Sequence, residues 1–302
     1  MAELSAPPES SPSRRRAPDR VRAAALVLAG AALFGTVGTA QLVGPQVPSL
    51  QLAAARLLAA ALLLVVVASG SDRFADIGRV ARHSPVWWAA VGQAGFNLCF
   101  LGAMQQAGVA VGTLVAIGAT PILTGLATRR VSRTWAVATG VAVVGLVLLV
   151  TGQARSASAP STYGVLLALG ASASYATYII AGNAAATRHL PVQPYLAAAF
   201  SGSALLTLPL LLVGDVGWLA EPSGLALVGY LALVPTVLAY MLFNRGLRGV
   251  RASTASTLGL IEPVVAASLA VLVVGETLTA AGAAGAVLVL AGLLLVVRSA
   301  GR

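Results

Sequence analysis

Ten apolar stretches, each close to 20 residues long and nearly free of charge, dominate the sequence. They cover 23–43, 49–69, 85–106, 107–128, 134–152, 162–186, 194–214, 222–243, 252–275 and 277–297. A helix needs about 20 apolar residues to cross the hydrocarbon core of a bilayer. Only 9% of the residues are charged and 58% are hydrophobic, so a soluble domain could not cover its apolar surface. The pattern predicts an all-α integral membrane protein with ten transmembrane helices.

Arginines occupy the short connections between these stretches. All 19 basic residues are Arg, and the formal net charge is +10. With the N-terminus placed in the cytoplasm, 17 of the 19 fall on the cytoplasmic side, Arg155 falls outside, and Arg56 falls within the second stretch. This distribution satisfies the positive-inside rule. It predicts a multi-pass protein of the cell (inner or plasma) membrane with both termini cytoplasmic, and it explains the net charge without a nucleic-acid partner.

The start of the chain differs from the rest. Residues 1–22 are rich in Pro, Ser and Arg and are predicted to be a disordered cytoplasmic tail, because they cannot form an apolar core. The run 14–16 is compatible with a twin-arginine signal. We favour the tail, because the apolar stretch that follows is long enough to span a bilayer and belongs to a repeat.

The two halves of the chain repeat. The run VAVGTLVAIGATP (109–121) matches RASTASTLGLIEP (251–263) at an offset of 142, and LVLAGAALFGT from Leu26 aligns with LLALGASASYA from Leu166. Because each half holds five spans, an odd number, the second half must insert upside down relative to the first. The sequence therefore predicts two inverted five-helix repeats, 23–152 and 162–297, an architecture typical of transporters with a substrate site near the bilayer midplane.

The closing segment of each half carries a family resemblance. The segment 240–297 combines an Arg-flanked helix start with small polar residues, the pair Glu262-Pro263, the turn Gly275-Glu276-Thr277-Leu278-Thr279 and a last Gly-containing apolar helix. In these features the chain resembles the EamA family of the drug/metabolite transporter superfamily. The first half resembles the same repeat, with Arg56 in its second span and Pro121 in its fourth, but it has Arg129-Arg130-Val131-Ser132 in place of the Gly-Glu turn.

The resemblance implies a function as well as a fold. A protein of this kind is expected to be a secondary-active or facilitative transporter that exports small metabolites such as amino acids by alternating access. The expected partners are a small-molecule substrate, the lipid bilayer and, for a coupled carrier, protons. A monomer or a homodimer is expected, and no cofactor or metal.

Two charged residues fall inside the predicted spans. A charge at mid-bilayer costs several kcal/mol unless it is paired, neutralised or in contact with water. Glu262 is therefore a candidate for substrate or proton contact, or alternatively a structural cap for backbone groups that Pro263 leaves free. Arg56 cannot deprotonate, so it binds a substrate carboxylate, pairs with Glu262 or snorkels to the interface.

Polar side chains at spacings of three and four residues form stripes on several spans. The candidate substrate-binding residues from these stripes are Thr36, Gln93, Asn97, Tyr175, Tyr178, Tyr240 and Asn244. The alternative for each stripe is a set of interhelical hydrogen bonds. Pro121 and Pro263 occupy matching places in the two halves and are candidate hinges, or alternatively fixed kinks.

Other function classes have less support in the sequence. The chain has no Lys and no phosphate-binding Gly-x-x-x-x-Gly-Lys loop, which argues against an ATP-driven pump. His83 and His189 lack metal-ligand spacing, and no cluster of acids or histidines suits a membrane enzyme. A lipid-flipping protein or a non-transporting membrane scaffold remains the alternative. Lipid flipping predicts a polar groove open sideways to the bilayer, whereas a metabolite carrier predicts an enclosed cavity.

Overall fold

The computed structural model describes residues 17–70, 73–129, 131–153 and 161–300, and their regular secondary structure is helical throughout. The α-helices are α1 (Ala17–Phe34), α2 (Thr36–Val43), α3 (Ser49–Ser69), α4 (Phe74–Val80), α5 (Ser84–Thr128), α6 (Arg133–Gln153), α7 (Thr162–Thr187), α8 (Val192–Thr207), α9 (Pro209–Leu212), α10 (Pro222–Ala232), α11 (Ala239–Gly246), α12 (Ala252–Leu258), α13 (Ile261–Leu269) and α14 (Ala280–Ala300). Helix α1 begins inside the predicted tail, of which residues 1–16 lie outside the described part of the chain.

Nine helical segments among the described residues are long and apolar enough to cross a membrane. They are Asp19–Val43, Ser49–Ser69, Ser84–Thr128, Arg133–Gly152, Thr162–Thr187, Val192–Leu212, Pro222–Gly246, Ala252–Val274 and Ala280–Ser299. Their outward faces carry large apolar side chains, among them Leu62, Leu126 and Val287, each more than half exposed. The protein is a multi-pass helical membrane protein, because only lipid can cover so much apolar surface.

The count of nine differs from the predicted ten at α5. This element joins the predicted spans 85–106 and 107–128 in 45 residues, about 67 Å of helix against a hydrocarbon core of about 30 Å. Gly108 inside it has φ 80° and ψ 159°, which is not helical. A Cβ added at Gly112 would lie 3.2 Å from the carbonyl carbon of Ala103. The chain therefore folds back at Gly108, with no coil between the two arms.

Two other spans are interrupted near the centre of the protein. Gly35 separates α1 from α2, and Gly259 and Leu260 separate α12 from α13. The interruptions meet, since a Cβ on Gly35 would lie 2.6 Å from the backbone oxygen of Glu262. In a membrane, such breaks are tolerated where neighbouring protein groups satisfy the freed backbone groups or where they line a cavity.

A third irregularity lies between α10 and α11. The segment Leu233–Leu238 is a π-helix that contains Pro235. Proline has no N–H to donate to the carbonyl four residues earlier, here that of Leu231. The hydroxyl of Thr236 donates to that carbonyl at 2.7 Å and replaces the missing donor.

Glycines allow the helices to pack closely. The most extensive helix pairs are α5 with α7, α6 with α14, α3 with α8, and α1 with α11. A Cβ on Gly145 of α6 would lie 2.5 Å from the backbone N of Val289 in α14, and one on Gly30 of α1 would lie 2.6 Å from the backbone oxygen of Ala239. Close backbone approach at small residues is how membrane helices associate, because lipid gives them no hydrophobic driving force.

Candidate functional site

A hydrogen-bonded chain of polar side chains crosses the interior between α3, α5 and α11. The Nη2 of Arg56 donates to the Oδ1 of Asn97 at 2.6 Å. The hydroxyl of Tyr240 donates to the Oε1 of Gln93 at 2.9 Å. Gln93 and Asn97 are one turn apart on α5, and the Nδ2 of Asn97 donates to the backbone oxygen of Gln93 at 2.8 Å. The predicted spacing thus places both amides on one face, opposite Arg56 and Tyr240.

The same arrangement recurs on α11. The Nδ2 of Asn244 donates to the backbone oxygen of Tyr240, one turn earlier, at 2.9 Å, and to the hydroxyl oxygen of Tyr178 at 2.7 Å. Asn97 and Asn244 therefore use their amides in the same way, on the third and the eighth predicted span. They differ in what their Oδ1 atoms accept: Asn97 accepts from Arg56, whereas the buried Oδ1 of Asn244 accepts no hydrogen bond from the described residues.

Aromatic rings hold Tyr240 in place. Its ring centroid lies 4.7 Å from that of Phe34, 4.9 Å from that of Phe200 and 5.1 Å from that of Tyr178. The last two pairs are edge-to-face, an arrangement that aromatic quadrupoles favour. Because the ring is in contact on three sides, the hydroxyl of Tyr240 stays directed at the Oε1 of Gln93.

The two charges predicted within the spans lie in this same region. Arg56 and Glu262 are both partly buried, and they lie close enough for their charges to interact, with Tyr240 nearby. They form no ion pair, since the salt bridge present in the described chain joins Arg79 to Asp76. The hypothesis of a direct Arg56–Glu262 pair is therefore wrong for this structure. The guanidinium donates to Asn97 instead.

The carboxylate of Glu262 is not used as a cap. Pro263 cannot donate to the carbonyl of Gly259, but the backbone N–H of Glu262 donates to that oxygen at 3.0 Å. Since the backbone itself satisfies this carbonyl, the side chain of Glu262 is left for another role. It accepts no hydrogen bond from the part of the chain that the structure describes.

Further polar atoms in the interior have no protein partner among the described residues. The Nε of Arg56 and the hydroxyl of Tyr175 are buried in this way. Tyr175 lies close to Tyr240 and Glu262. Buried polar groups are nearly always hydrogen-bonded in folded proteins. Hydrogen-bond donors that have no protein partner and lie near a carboxylate are suited to bind a polar ligand.

The remaining predicted residues lie outside this chain of hydrogen bonds. The hydroxyl of Thr36 donates to the backbone oxygen of Leu33 at 2.8 Å, at the interruption of the first span. Pro121 is buried within α5, next to Thr120, whose hydroxyl lies 3.1 Å from that of Ser172. Pro263 lies in the first turn of α13, directly after the break at Gly259 and Leu260.

Three contributors were not among the predicted site residues. Phe34 and Phe200 contact Tyr240, and Pro235 creates the π-helix one turn before it. The signal available for Pro235 was a proline in mid-span, as at Pro121 and Pro263. A lone Phe in an apolar stretch carries no such signal. The described residues contain no group of three or more His, Cys, Asp or Glu that could hold a metal ion.

A polar centre with two charges that do not pair with each other, surrounded by membrane-spanning helices, is typical of membrane transporters. A family model described as "EamA-like transporter family" matches residues 162–298. The "uncharacterized transporter YwfM" of Bacillus subtilis (strain 168) is 37% identical over 276 residues, which cover 89% of this chain and 92% of that protein. The chain belongs to the EamA-like transporter family, within the drug/metabolite transporter superfamily.

One further relative and one solved structure extend the comparison. The "threonine/homoserine exporter RhtA" of Escherichia coli (strain K12) is 30% identical over 274 residues, which cover 88% of each chain. One solved crystal structure matches with a TM-score of 0.78 and 19% identity, over 90% of this chain and 95% of that one. At this identity the match shows a shared fold.

Proposed function

We propose that the protein is a secondary-active or facilitative exporter of small amino acids that works by alternating access. It would consist of two inverted five-helix repeats, 23–152 and 162–297, in which α5 crosses the membrane twice. The fold-back at Gly108 supports the double crossing. The helix pairs support the symmetry, because the first span packs on the eighth as the sixth packs on the third.

One observation carries the proposal: Arg56 and Glu262 lie in the same interior region but do not pair. Two opposite charges held apart in a membrane protein are unfavourable unless something lies between them. An amino acid is a zwitterion, and it supplies a carboxylate for the guanidinium and an ammonium for the carboxylate. The substrate would thus neutralise both protein charges. These charges would in turn lower the free-energy cost of bringing a zwitterion into the membrane.

The neighbouring groups support a small, hydroxyl-bearing substrate. The hydroxyls of Tyr175 and Tyr240 and the amides of Gln93 and Asn97 surround the charges with neutral donors and acceptors. A site that hydrogen-bonds a substrate hydroxyl rejects analogues that lack it, because its own polar groups then stay unpaired. A threonine/homoserine exporter among the relatives is consistent with this chemistry.

The test is counterflow in proteoliposomes that contain the purified protein. Vesicles preloaded with unlabelled threonine are expected to accumulate labelled threonine. Vesicles preloaded with unlabelled homoserine are expected to accumulate labelled threonine as well. Empty vesicles and vesicles with the Arg56→Gln variant are the controls. Absence of exchange by the folded wild-type protein would overturn the proposal. Scrambling of a labelled phospholipid without amino-acid exchange would favour the lipid-flipping alternative.

A further inference from the structure

A groove separate from the central site lies between the first turns of α5 and the last turns of α7. Its volume is about 290 Å³, and it is lined by Ser84, Pro85, Trp88, Thr177, Ile180, Ala181, Ala184 and Arg188. Trp88 is 61% exposed, so the groove lies on the outer surface of the helix bundle rather than in its interior. The groove therefore faces the surrounding membrane.

The end of the groove beside the connections is polar and positive. It carries the exposed guanidinium of Arg188, the Ser84 hydroxyl and the Trp88 indole. Arg188 makes no ion pair in the described residues, and no acidic side chain lines the groove. Tryptophan is enriched at the level of lipid headgroups, where its N–H stays wet and its ring meets the acyl chains. This end therefore suits an anionic headgroup.

The rest of the groove is mainly apolar and follows one face of α7. Thr177, Ile180, Ala181 and Ala184 recur at helical spacing and lead to Arg188. From Thr177 to Arg188 the helix rises about 16 Å, which is close to half of a hydrocarbon core of about 30 Å. The groove thus has the length of one leaflet, with its positive end at the headgroup level.

We propose that this groove binds one anionic phospholipid of the leaflet on the arginine-rich side of the protein. The phosphate lies between Arg188 and Ser84, and an acyl chain lies along Ile180 toward Thr177. Basic pockets between membrane helices recognise anionic headgroups in this way. The small side chains of Ala181 and Ala184 leave room for the chain. The proposal does not depend on what the central site transports.

The experiment titrates the full-length protein, purified in a neutral detergent, with phosphatidylglycerol and with phosphatidylcholine of the same acyl chains. Native mass spectrometry counts bound lipid. Phosphatidylglycerol is expected to bind more tightly, and Arg188→Gln is expected to weaken it about fivefold without changing phosphatidylcholine binding. Arg298→Gln removes an exposed arginine from the last turn of α14 and is the matched control, with no expected effect.

A second variant tests the groove rather than the charge. Ala184→Leu fills the apolar part and is expected to weaken phosphatidylglycerol binding while leaving Arg188 in place. Inorganic phosphate as a competitor is expected to have little effect, because it lacks the acyl chain. Equal losses in the Arg188→Gln and Arg298→Gln variants, or equal affinity for the two lipids, would overturn the proposal. Unfolding temperatures without added lipid show that the variants are folded.

Discussion

The guanidinium of Arg56 donates to the side-chain oxygen of Asn97 at 2.6 Å, which joins α3 to α5 inside the membrane-spanning bundle. This bond holds the guanidinium by one nitrogen and leaves its Nε without a protein partner in the described chain. Asn97 is itself fixed by the backbone of Gln93. Arg56 is therefore positioned by a neutral group, and no carboxylate of the described chain forms an ion pair with it; in the proposed function its charge binds the substrate.

Replacement of Arg56 by Gln tests the carboxylate contact. A hydrogen bond to a charged group contributes about 1.5–3 kcal/mol, so the half-saturating threonine concentration is expected to rise about tenfold or more. Arg56→Lys keeps the charge but loses the planar fork, and an intermediate effect is expected. Concentration-dependent uptake by proteoliposomes measures both. Arg79→Gln, in an exposed ion pair, is the control, and an equal effect there would contradict the assignment.

Replacement of Glu262 by Gln tests whether this carboxylate also carries a proton. We expect threonine flux through the wild type to accelerate in a pH gradient, because a carboxylate within a span can exchange one proton per cycle. The Glu262→Gln variant also loses the proposed contact with the substrate ammonium, so it is expected to transport threonine more slowly and at a rate that does not depend on the gradient. Flux assays with and without the gradient measure this. A wild-type rate that is the same in both would show a facilitative carrier instead.

The π-helix before α11 depends on the hydroxyl of Thr236. In the Thr236→Val variant, the carbonyl of Leu231 has neither the Pro235 nitrogen nor this hydroxyl as a donor, so the free energy of unfolding is expected to fall by about 1–2 kcal/mol. Thr124→Val is the matched control. Its buried hydroxyl donates to the carbonyl of Thr120, and a loss of about 0.6 kcal/mol is expected. Unfolding in mixed micelles compares them, and equal losses would refute the role of Thr236.

The contact between α6 and α14 requires a glycine at residue 145. A side chain there would collide with the backbone of Val289, so Gly145→Val is expected to prevent stable folding or to lower the unfolding temperature strongly. Gly140→Ala, on the same helix, meets no atom within 4 Å and is expected to change little. Size-exclusion profiles and thermal unfolding of the two variants measure this. Normal stability of Gly145→Val would show that the two helices are not packed so closely.

If α5 crosses the membrane twice, as proposed, its turn at Gly108 must lie at the outer surface. In a Cys99→Ala background, a cysteine replacing Val109 beside Gly108 is expected to react with a membrane-impermeant maleimide added to intact cells. A cysteine replacing Arg133 is expected to react only after the cells are opened, because the predicted orientation places this residue on the cytoplasmic side. Labelling of both only in opened cells would contradict the predicted topology.

Much of this architecture could be predicted from the sequence, for reasons that differ between features. The apolar stretches follow from the length that a bilayer demands, and the stripes on α5 and α11 follow from helical spacing. The network of Gln93, Asn97 and Tyr240 could therefore be expected, although which atoms bond could not. The predicted boundary between the spans 85–106 and 107–128 lies within two residues of the fold-back at Gly108, but the sequence did not indicate that a single Gly at positive φ makes this reversal.

Other features depend on contacts between distant segments. The partner of Arg56 is Asn97 rather than Glu262, and this choice depends on how α3 lies against α5. The contacts of Phe34 and Phe200 with Tyr240 likewise join segments far apart in the chain. The backbone hydrogen bond from the N–H of Glu262 to the carbonyl of Gly259 forms where the helix breaks between α12 and α13. A proline at residue 263 does not by itself fix the position of that break.

The central claim is that Arg56 and Glu262 bind the two charged ends of one amino acid. Competition against labelled threonine in the exchange assay tests it most directly, with 3-hydroxybutyrate, which lacks the ammonium group, and 1-amino-2-propanol, which lacks the carboxylate. Unlabelled threonine is expected to compete strongly and both analogues at least tenfold more weakly, since each leaves one protein charge unpaired. Competition by either analogue as strong as that by threonine would contradict the claim.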